Sequence, residues 1–284
     1  MSGDETVPTN YTHGDLLAAI QSALTVLGKS VDEVTIEDLA PVDEFHIGGR
    51  VATDNLLAQL DIAEHHHILD IGCGLGGAAR YIADRFSNRV TGIDLTPEYI
   101  DVGNTLCAWV GLHDRVTLHK GSALGMPFED ESFDAAVMLH VGMNIEDKAG
   151  LFSEVYRVLR PGASFAVYDV MRTGSGELTY PVPWAAESGA SQLASPAQYL
   201  QALNEAGFET AGENARREFA LEFFQQMRAR TEAEVGPPPL GLHVLMQEST
   251  GVKIKNMIEN ITANRVAPVE IIARKQAGLH GTRA

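Results

Sequence analysis

Cysteine is scarce in this sequence. Only two cysteines, Cys73 and Cys107, occur among 284 residues, which is too few for a disulfide framework or a four-cysteine metal site. We expect both thiols to be small core residues. The histidines at 65–67 have no partners at ligand spacing, so we expect no metal site.

Positive charge is also in short supply. Lysine and arginine number 21 against 38 aspartates and glutamates, and the formal net charge is −17. Such a surface repels phosphate backbones and anionic lipid, so we expect no nucleic acid and no membrane among its partners. No apolar run reaches the roughly 18 residues of a membrane span, and the N-terminus lacks a signal-peptide pattern. We therefore expect a cytoplasmic protein.

Apolar strands alternating with amphipathic helices begin near residue 66. Helices are predicted near 77–86, 97–110 and 146–159. The predicted strands are 66–72, 89–95, 115–121, 133–140, 164–170, 207–213 and 266–274. Strands that alternate with helices indicate a parallel sheet covered on both faces. The predicted fold class is α/β, with a doubly wound, mostly parallel, seven-stranded sheet.

Two kinds of segment lie outside this alternation. Residues 1–60 precede the first strand and predict an N-terminal helical cap or lid, whereas 61–284 form the main domain. Within that domain, helical and turn-rich insertions near 171–195 and 216–263 come before the last strand and are expected to act as lids.

A glycine turn follows the first strand in the segment LDIGCGLGGAARYIA at 69–83. Glycine tolerates positive φ and has no Cβ to keep a ligand away from the backbone, so a ligand is expected beside this turn. Asp94 ends the second strand, where a carboxylate can accept hydrogen bonds from both hydroxyls of a ribose. The sequence therefore predicts a nucleoside-containing cofactor.

Two cofactors fit these features. Gly72, Gly74 and Gly77 match the G-x-G-x-x-G pattern of dinucleotide sites, so an NAD(P)-dependent oxidoreductase is one alternative. Asp70 lies at the mouth of the crevice, however, where an anion would oppose a pyrophosphate and attract an ammonium. This carboxylate favours a methionine-type cofactor.

Four motifs in order resemble those of class I S-adenosylmethionine-dependent methyltransferases. They are LDIGCGLGG, GIDLTPEYI, GSALGMPFEDESFD and VYRVLRPGASFAVYD, and they span residues 66–170. The resemblance implies a Rossmann-like methyltransferase fold with S-adenosylmethionine as cofactor. It further implies contacts to the methionine end from Asp70, Gly72, Cys73 and Gly74, to the ribose from Asp94, and to the adenine from Leu95, Ser122 and Ala123.

The segments NYTHGD, FHIGGRVAT and MLHVGMNIEDK resemble small-molecule N-methyltransferases of the phosphoethanolamine and sarcosine/dimethylglycine types. This resemblance implies that Tyr11 and His140 are catalytic and close over the substrates, with His140 also touching the cofactor. His140 ends the fourth predicted strand, at the sheet edge where ligands bind. An ordinary histidine pKa near 6.5 suits a proton acceptor there.

Five further residues are candidates for binding the acceptor, namely His46, Arg50, Tyr180, Trp184 and His243. Aromatic walls suit a methylammonium or an apolar sulfur compound. Because 173–215 contains no lysine or arginine, a phosphorylated acceptor is disfavoured.

The predicted activity is methyl transfer from S-adenosylmethionine to a small molecule. A small amine or amino-acid derivative ranks first, followed by a small thiol and then by a hydroxylated metabolite for which His140 would be the base. The sequence leaves open whether N, S or O is methylated, how many methyl groups are transferred, and whether the protein is a monomer or a homodimer.

Overall fold

Seven strands form one sheet that is covered by helices. The computed structural model describes residues 14–233 and 238–277. The strands are β1 (His67–Ile71), β2 (Arg89–Asp94), β3 (Val116–Lys120), β4 (Phe133–Leu139), β5 (Leu159–Arg172), β6 (Phe208–Ala215) and β7 (Val266–Lys275). The helices are α1 (Leu16–Val26), α2 (Ile36–Asp43), α3 (Gly49–Leu57), α4 (Gly77–Phe86), α5 (Pro97–Trp109), α6 (Lys148–Val158), α7 (Pro196–Glu205), α8 (Arg217–Ala233), α9 (His243–Met246) and α10 (Thr250–Thr262).

The strand order is β3-β2-β1-β4-β5-β7-β6. Strands β1 to β5 run parallel, while β7 lies antiparallel between β5 and β6. The predicted fold class is confirmed. Because β2 and β4 lie on opposite sides of β1, a crevice opens at the carboxyl ends of these strands, where open α/β sheets bind ligands.

Each face of the sheet has its own apolar core. Phe152, Phe165 and Tyr199 belong to the core beneath α6 and α7. Leu56, Ile82 and other side chains from α3, α4 and α5 fill the opposite face. Burial on both faces explains why the central strands are apolar throughout instead of alternating. The carboxyl-end edge is thereby held rigid.

Strand β5 begins earlier than the pattern predicts. The sequence predicts a strand at 164–170, whereas extended chain starts at Leu159, which pairs with Phe133 of β4. The register then shifts between Phe133 and Ala135. A neighbouring strand supplies these hydrogen bonds, so local periodicity does not reveal them.

Helices α1 to α3 precede the sheet. Apolar residues of α1, including Leu16 and Ile20, share a core with Tyr99 and Leu106 of α5. The backbone N–H of Leu16 also donates to Glu98 Oε1 at 3.2 Å. The helices at 14–57 are therefore packed against the main sheet domain, and their role as a lid stays a prediction. Throughout 14–233 and 238–277, no helix is both long and apolar enough to cross a membrane.

The last residue of α2 anchors these helices to α4. Asp43 forms an ion pair with Arg80, and both side chains are about 1% exposed. Arg80 Nη1 also donates to the carbonyl of Leu75 at 2.7 Å. A Cβ at Gly77 would lie 2.5 Å from the backbone oxygen of Asp43, so glycine is required there for α2 to approach α4 this closely.

We expect Arg80→Met to lower the free energy of unfolding by about 3–5 kcal/mol, since it leaves the Asp43 carboxylate buried without its partner. Urea unfolding followed by circular dichroism would measure this. The matched control is Arg85→Met on the same helix, where the ion pair with Asp54 is 44% exposed on both sides. That change should cost less than about 1 kcal/mol. Equal losses in the two variants would show that the buried pair does not anchor α2.

Candidate functional site

The turn between β1 and α4 uses glycine at three positions with positive φ. These are Gly72 (66°), Gly74 (53°) and Gly76 (79°). The backbone N–H groups of Gly72 and Cys73 both donate to the carbonyl of Ile93, at 2.8 and 3.1 Å. The turn is therefore tied to β2 and lies beside the N-terminus of α4, where positive φ and bare backbone admit a ligand.

Asp94, at the end of β2, organises the other wall of the crevice. Its Oδ2 accepts the N–H of Gly74 at 3.0 Å, and its Oδ1 accepts the N–H of Thr96 at 2.8 Å. Burial raises the pKa of this carboxyl, while hydrogen bonds from Thr96, Gly74 and Leu95 oppose the rise. A carboxylate has about four acceptor sites on its two oxygens and can share them with a diol.

Asp70, on β1, is 2% exposed, and its Oδ2 has no hydrogen-bond partner within the described residues. Burial raises the pKa of Asp70 to about 7, and the nearby Asp94 adds to the rise. A buried carboxylate oxygen without a partner is costly, so this position is suited to a cation brought by a ligand.

A cleft of about 1600 Å³, including its open mouth, runs from this turn to the insertions. Eight of the nine predicted cofactor residues line it: Asp70, Gly72, Cys73, Gly74, Asp94, Leu95, Ala123 and His140. The structure does not bring the side chain of Ser122 into the wall, because its hydroxyl accepts the N–H of Leu124 at 3.1 Å.

His140 follows β4 with φ of 55°. Its backbone N–H donates to the carbonyl of Tyr168 at 2.7 Å. The imidazole lies with its centroid 5.0 Å from the Tyr168 ring and 6.0 Å from that of His46. Its Nε2 is buried without a partner among the described residues. Burial, with a further contribution from His46, lowers the pKa of His140 well below 6.5, so the ring is neutral near pH 7.

His46 lies in the turn before α3, with its ring centroid 6.2 Å from that of Tyr168 on β5. It is 8% exposed and lines the cleft. Its Nε2 is 3.0 Å from the carbonyl of Gly49 and 2.9 Å from Thr53 Oγ1. Burial lowers the pKa of His46, and the carboxylate of Glu44 partly opposes that change.

The other predicted substrate residues are divided between the wall and positions behind it. Trp184 lines the cleft and donates from Nε1 to Ser191 Oγ at 2.9 Å. Tyr180 packs in the apolar cluster behind it. Arg50 lies over the ring of Tyr81 at 4.1 Å. Neither Tyr180, Arg50 nor His243 is part of the wall, and Tyr11 lies outside the described residues.

Most of the apolar part of the cleft was not predicted from the sequence. Its wall is apolar and comes from four places: the turn at 45–47, helix α8, the segment around α9, and α10. The residues are Phe45, Ile47, Phe223, Phe224, Met227, Leu242, Leu245, Met246, Ile254 and Met257. No lysine or arginine lines the described part of the cleft. The only local signal was an amphipathic pattern, which core packing explains equally well.

Glu44 and Thr53 were also missed. Glu44 is 4% exposed and forms an ion pair with Arg50. Thr53 donates to Glu44 Oε2 at 2.7 Å. Glu44 is only two positions before His46, but nothing in that spacing shows that its carboxylate is buried. Within the described residues, no cluster of three or more histidine, cysteine, aspartate or glutamate side chains could hold a metal ion.

Comparison with known proteins agrees with this geometry. Residues 69–167 match the family model described as a methyltransferase domain. Over 119 residues the chain is 37% identical to the sterol 4-C-methyltransferase of Caenorhabditis elegans, covering 42% of this chain and 35% of that protein. The chain spans half or less of the length of the curated relatives it matches.

Solved structures share the fold over most of the chain. The geranyl diphosphate C-methyltransferase from Streptomyces coelicolor is 19% identical with a TM-score of 0.70, covering 97% of this chain and 98% of that one. A phosphoethanolamine N-methyltransferase of Haemonchus contortus is 22% identical with a TM-score of 0.69, covering 91% and 60%. At such identities the likeness shows the fold alone.

The raised pKa of Asp70 predicts a pH-dependent affinity for S-adenosylmethionine. This cofactor carries an ammonium and a sulfonium, and protonation of Asp70 removes the negative charge that attracts them. Affinity should therefore fall about fivefold from pH 7 to pH 6, measured by calorimetric titration.

Asp70→Asn is the matched control, because it cannot ionise. It should bind more weakly at pH 7 and show little change between these two pH values. The same pH dependence in Asp70→Asn and in the wild type would assign the effect to another group.

Proposed function

Since residues 69–167 form a class I S-adenosylmethionine-dependent methyltransferase domain, we propose that the protein methylates an apolar small molecule bearing a hydroxyl or an alkene. The observation that carries the proposal is the apolar part of the cleft formed by the turn at 45–47, α8, the segment around α9 and α10. We call this part the acceptor half. Its wall is made of aliphatic, aromatic and methionine side chains without lysine or arginine. An apolar acceptor gains binding free energy by burying its surface against this wall. An anionic group on the acceptor would be left there without a partner.

The residues around the glycine turn fit S-adenosylmethionine. Asp70 Oδ2 has no hydrogen-bond partner among the described residues. It would pair with the ammonium of the methionine end. Asp94 would hold the ribose, and Gly72, Cys73 and Gly74 would let the methionine end approach the backbone. Leu95 and Ala123 would pack on the adenine. When bound, the cofactor supplies a methyl group already activated on a sulfonium.

The protein's own contribution is alignment and exclusion of water. Phe224, Met246 and Met257 would press the acceptor towards the cofactor end, since close approach in line is what methyl transfer needs. The same side chains keep water away from the sulfonium. His140 Nε2, neutral and without a partner, would accept a hydrogen bond from an acceptor hydroxyl and orient it.

The compounds named for similar proteins indicate the size of acceptor that we propose. The names of two of these proteins mention a sterol and geranyl diphosphate, and both compounds carry an isoprenoid-derived hydrocarbon skeleton. The apolar side chains from α8, α10 and the segment around α9 that line the cleft would pack against such a skeleton. A diphosphate is disfavoured here, because no cation in the described wall would pair with it.

A small amine or amino-acid derivative, ranked first from the sequence, becomes the second candidate. One observation favours it: Phe45, Trp184, Phe223 and Phe224 all line the cleft. Aromatic faces attract a methylammonium group. Among the described residues, however, the wall has no carboxylate at this end to pair with an ammonium, and this places the amine below an apolar acceptor.

The test is transfer of a labelled methyl group from S-adenosylmethionine to four panels: isoprenoid alcohols and sterols, phenols, amines with amino acids, and thiols. Transfer to the first or second panel supports the proposal. Transfer to amines or thiols alone overturns the choice of acceptor.

Ile254→Ala should then raise KM for the best apolar acceptor about tenfold, since each methylene removed from a pocket weakens binding measurably. The matched control is Val252→Ala on the same helix, where the side chain is 44% exposed and outside the cleft wall. KM should not change in this control. A similar KM in both variants would place the acceptor elsewhere.

A further inference from the structure

Behind the cleft wall lies a buried polar chain that the proposed function has not used. Glu44, 4% exposed, and Thr53, 1% exposed, come from either side of the Gly48–Gly49 turn. Thr53 Oγ1 joins the carboxylate of Glu44, at 2.7 Å, to His46 Nε2, at 2.9 Å. Burying polar groups this deeply is costly unless they are paired. Here the hydrogen bonds lead from Glu44 through Thr53 to the imidazole of His46, which lines the cleft.

The hydrogen bonds fix which nitrogen of His46 carries the proton. The carbonyl of Gly49, 3.0 Å from Nε2, can only accept. The single hydroxyl proton of Thr53 is committed to Glu44, so towards His46 this oxygen also acts as an acceptor. Nε2 must therefore be the protonated nitrogen, and Nδ1 carries a lone pair. The described part of the chain gives Nδ1 no hydrogen bond.

The two histidines of the cleft differ in what would stabilise a proton on them. His46 has the carboxylate of Glu44 at 3.5 Å. His140 has no carboxylate that opposes its burial, and its charged neighbour would be His46 itself. A cation formed on His46 is thus paired, whereas one formed on His140 would be isolated. A base is effective only if its protonated form is supported.

We propose that His46 accepts the acceptor's proton through Nδ1, that the Gly49 carbonyl and Thr53 hold it in the required tautomer, and that Glu44 supports the imidazolium. This rests on the proposed methyl transfer. A bond forms between the acceptor's nucleophilic atom and the methyl carbon, and the carbon–sulfur bond breaks with its electron pair staying on sulfur. The acceptor's hydrogen leaves as a proton to Nδ1. His46 later returns this proton to solvent, and His140 orients the acceptor.

The charged and titratable groups facing His46 come from four places in the chain. Glu44 raises its pKa and Arg50, on α3, lowers it. The His140 ring after β4 lies 6.0 Å away, and the Tyr168 ring of β5 lies 6.2 Å away. Since the pKa of His46 is below 6.5, turnover should rise with pH to a plateau reached by about pH 7.

The first test needs no acceptor. Ring-nitrogen spectra of histidine-labelled protein, with the His46 signal assigned by its loss in His46→Gln, should show the proton on Nε2 and a lone pair on Nδ1. In Glu44→Gln the pKa of His46 should fall below the wild-type value, because the carboxylate that favours the imidazolium has gone. A proton on Nδ1 in the wild type, or an unchanged pKa in Glu44→Gln, overturns the proposal.

Thr53 provides a matched pair of variants. Thr53→Ser keeps the hydroxyl and should keep the wild-type tautomer and turnover. Thr53→Val keeps the shape but removes the hydroxyl that links Glu44 to His46. It should therefore lower the pKa of His46 and lower kcat about tenfold, while the Gly49 carbonyl still holds the proton on Nε2. A Thr53→Val protein with wild-type kcat and a wild-type His46 pKa contradicts the positioning role.

Turnover on the acceptor found in the panels gives the second test. His46→Gln should lower kcat by about a hundredfold or more, within the range of lost general-base catalysis, while calorimetry shows unchanged affinity for S-adenosylmethionine. His140→Gln should act mainly on KM.

A loss of less than threefold in His46→Gln overturns the assignment of His46 as the base. Absence of methyl transfer to every panel refutes the proposed function instead. The tautomer of His46 is measured without an acceptor, so the two failures are distinguishable.

Discussion

The Asp43–Arg80 ion pair holds the turn that carries His46 in place beside the cleft. Arg80 belongs to α4, the helix that follows the glycine turn, and Asp43 is the last residue of α2. Because both side chains are buried, the chain that continues from Asp43 must pass directly above the cofactor end of the crevice. Glu44, His46 and the start of α3 follow within six residues. Tyr168 of β5 closes the arrangement by donating to the carbonyl of Ile47 at 2.9 Å.

Burial shapes the electrostatics of the whole cleft. Asp70 and Asp94 are two neighbouring carboxyls whose pKa values are both raised by loss of water. His46 and His140 are two neighbouring imidazoles whose pKa values are both lowered. The end of the cleft with Asp70 and Asp94 therefore favours a positively charged ligand group. The end with His46 and His140 stays neutral. A cationic cofactor and an uncharged acceptor are the pair of ligands that such a cleft favours.

The insertions supply what the sheet cannot. Parallel strands end in backbone turns, which suit a nucleoside and an amino-acid group but offer little apolar area. Helices α8 and α10 and the segment around α9 cover those turns with phenylalanine, methionine, leucine and isoleucine side chains. Met246 and Met257 are each buried at about 5% exposure or less. Methionine side chains adapt to irregular ligand shapes, so this wall suits acceptors with different carbon skeletons.

The cofactor half of the site was largely predictable, because its geometry is local. A glycine turn between a strand and a helix needs only adjacent residues, and Asp94 is placed by the end of one strand. The acceptor half was not, since it joins side chains from residues 45–47, 139–145 and 223–257. Ser122 shows the limit even near the turn, because a single hydrogen bond to Leu124 directs its hydroxyl away from the cleft.

By itself, the sequence determined the α/β class, the seven strands, the glycine turn and the methyltransferase motifs, all of which depend on periodicity and short-range backbone conformation. Only the tertiary structure decided that strand β5 begins at Leu159, that Glu44 is buried behind His46, and that Arg50 faces Tyr81 instead of the cleft. Those outcomes depend on which residues, far apart in the sequence, pack together in the interior away from water. Burial and hydrogen-bond pairing over long sequence separations are properties of the packed chain, and no local pattern encodes them.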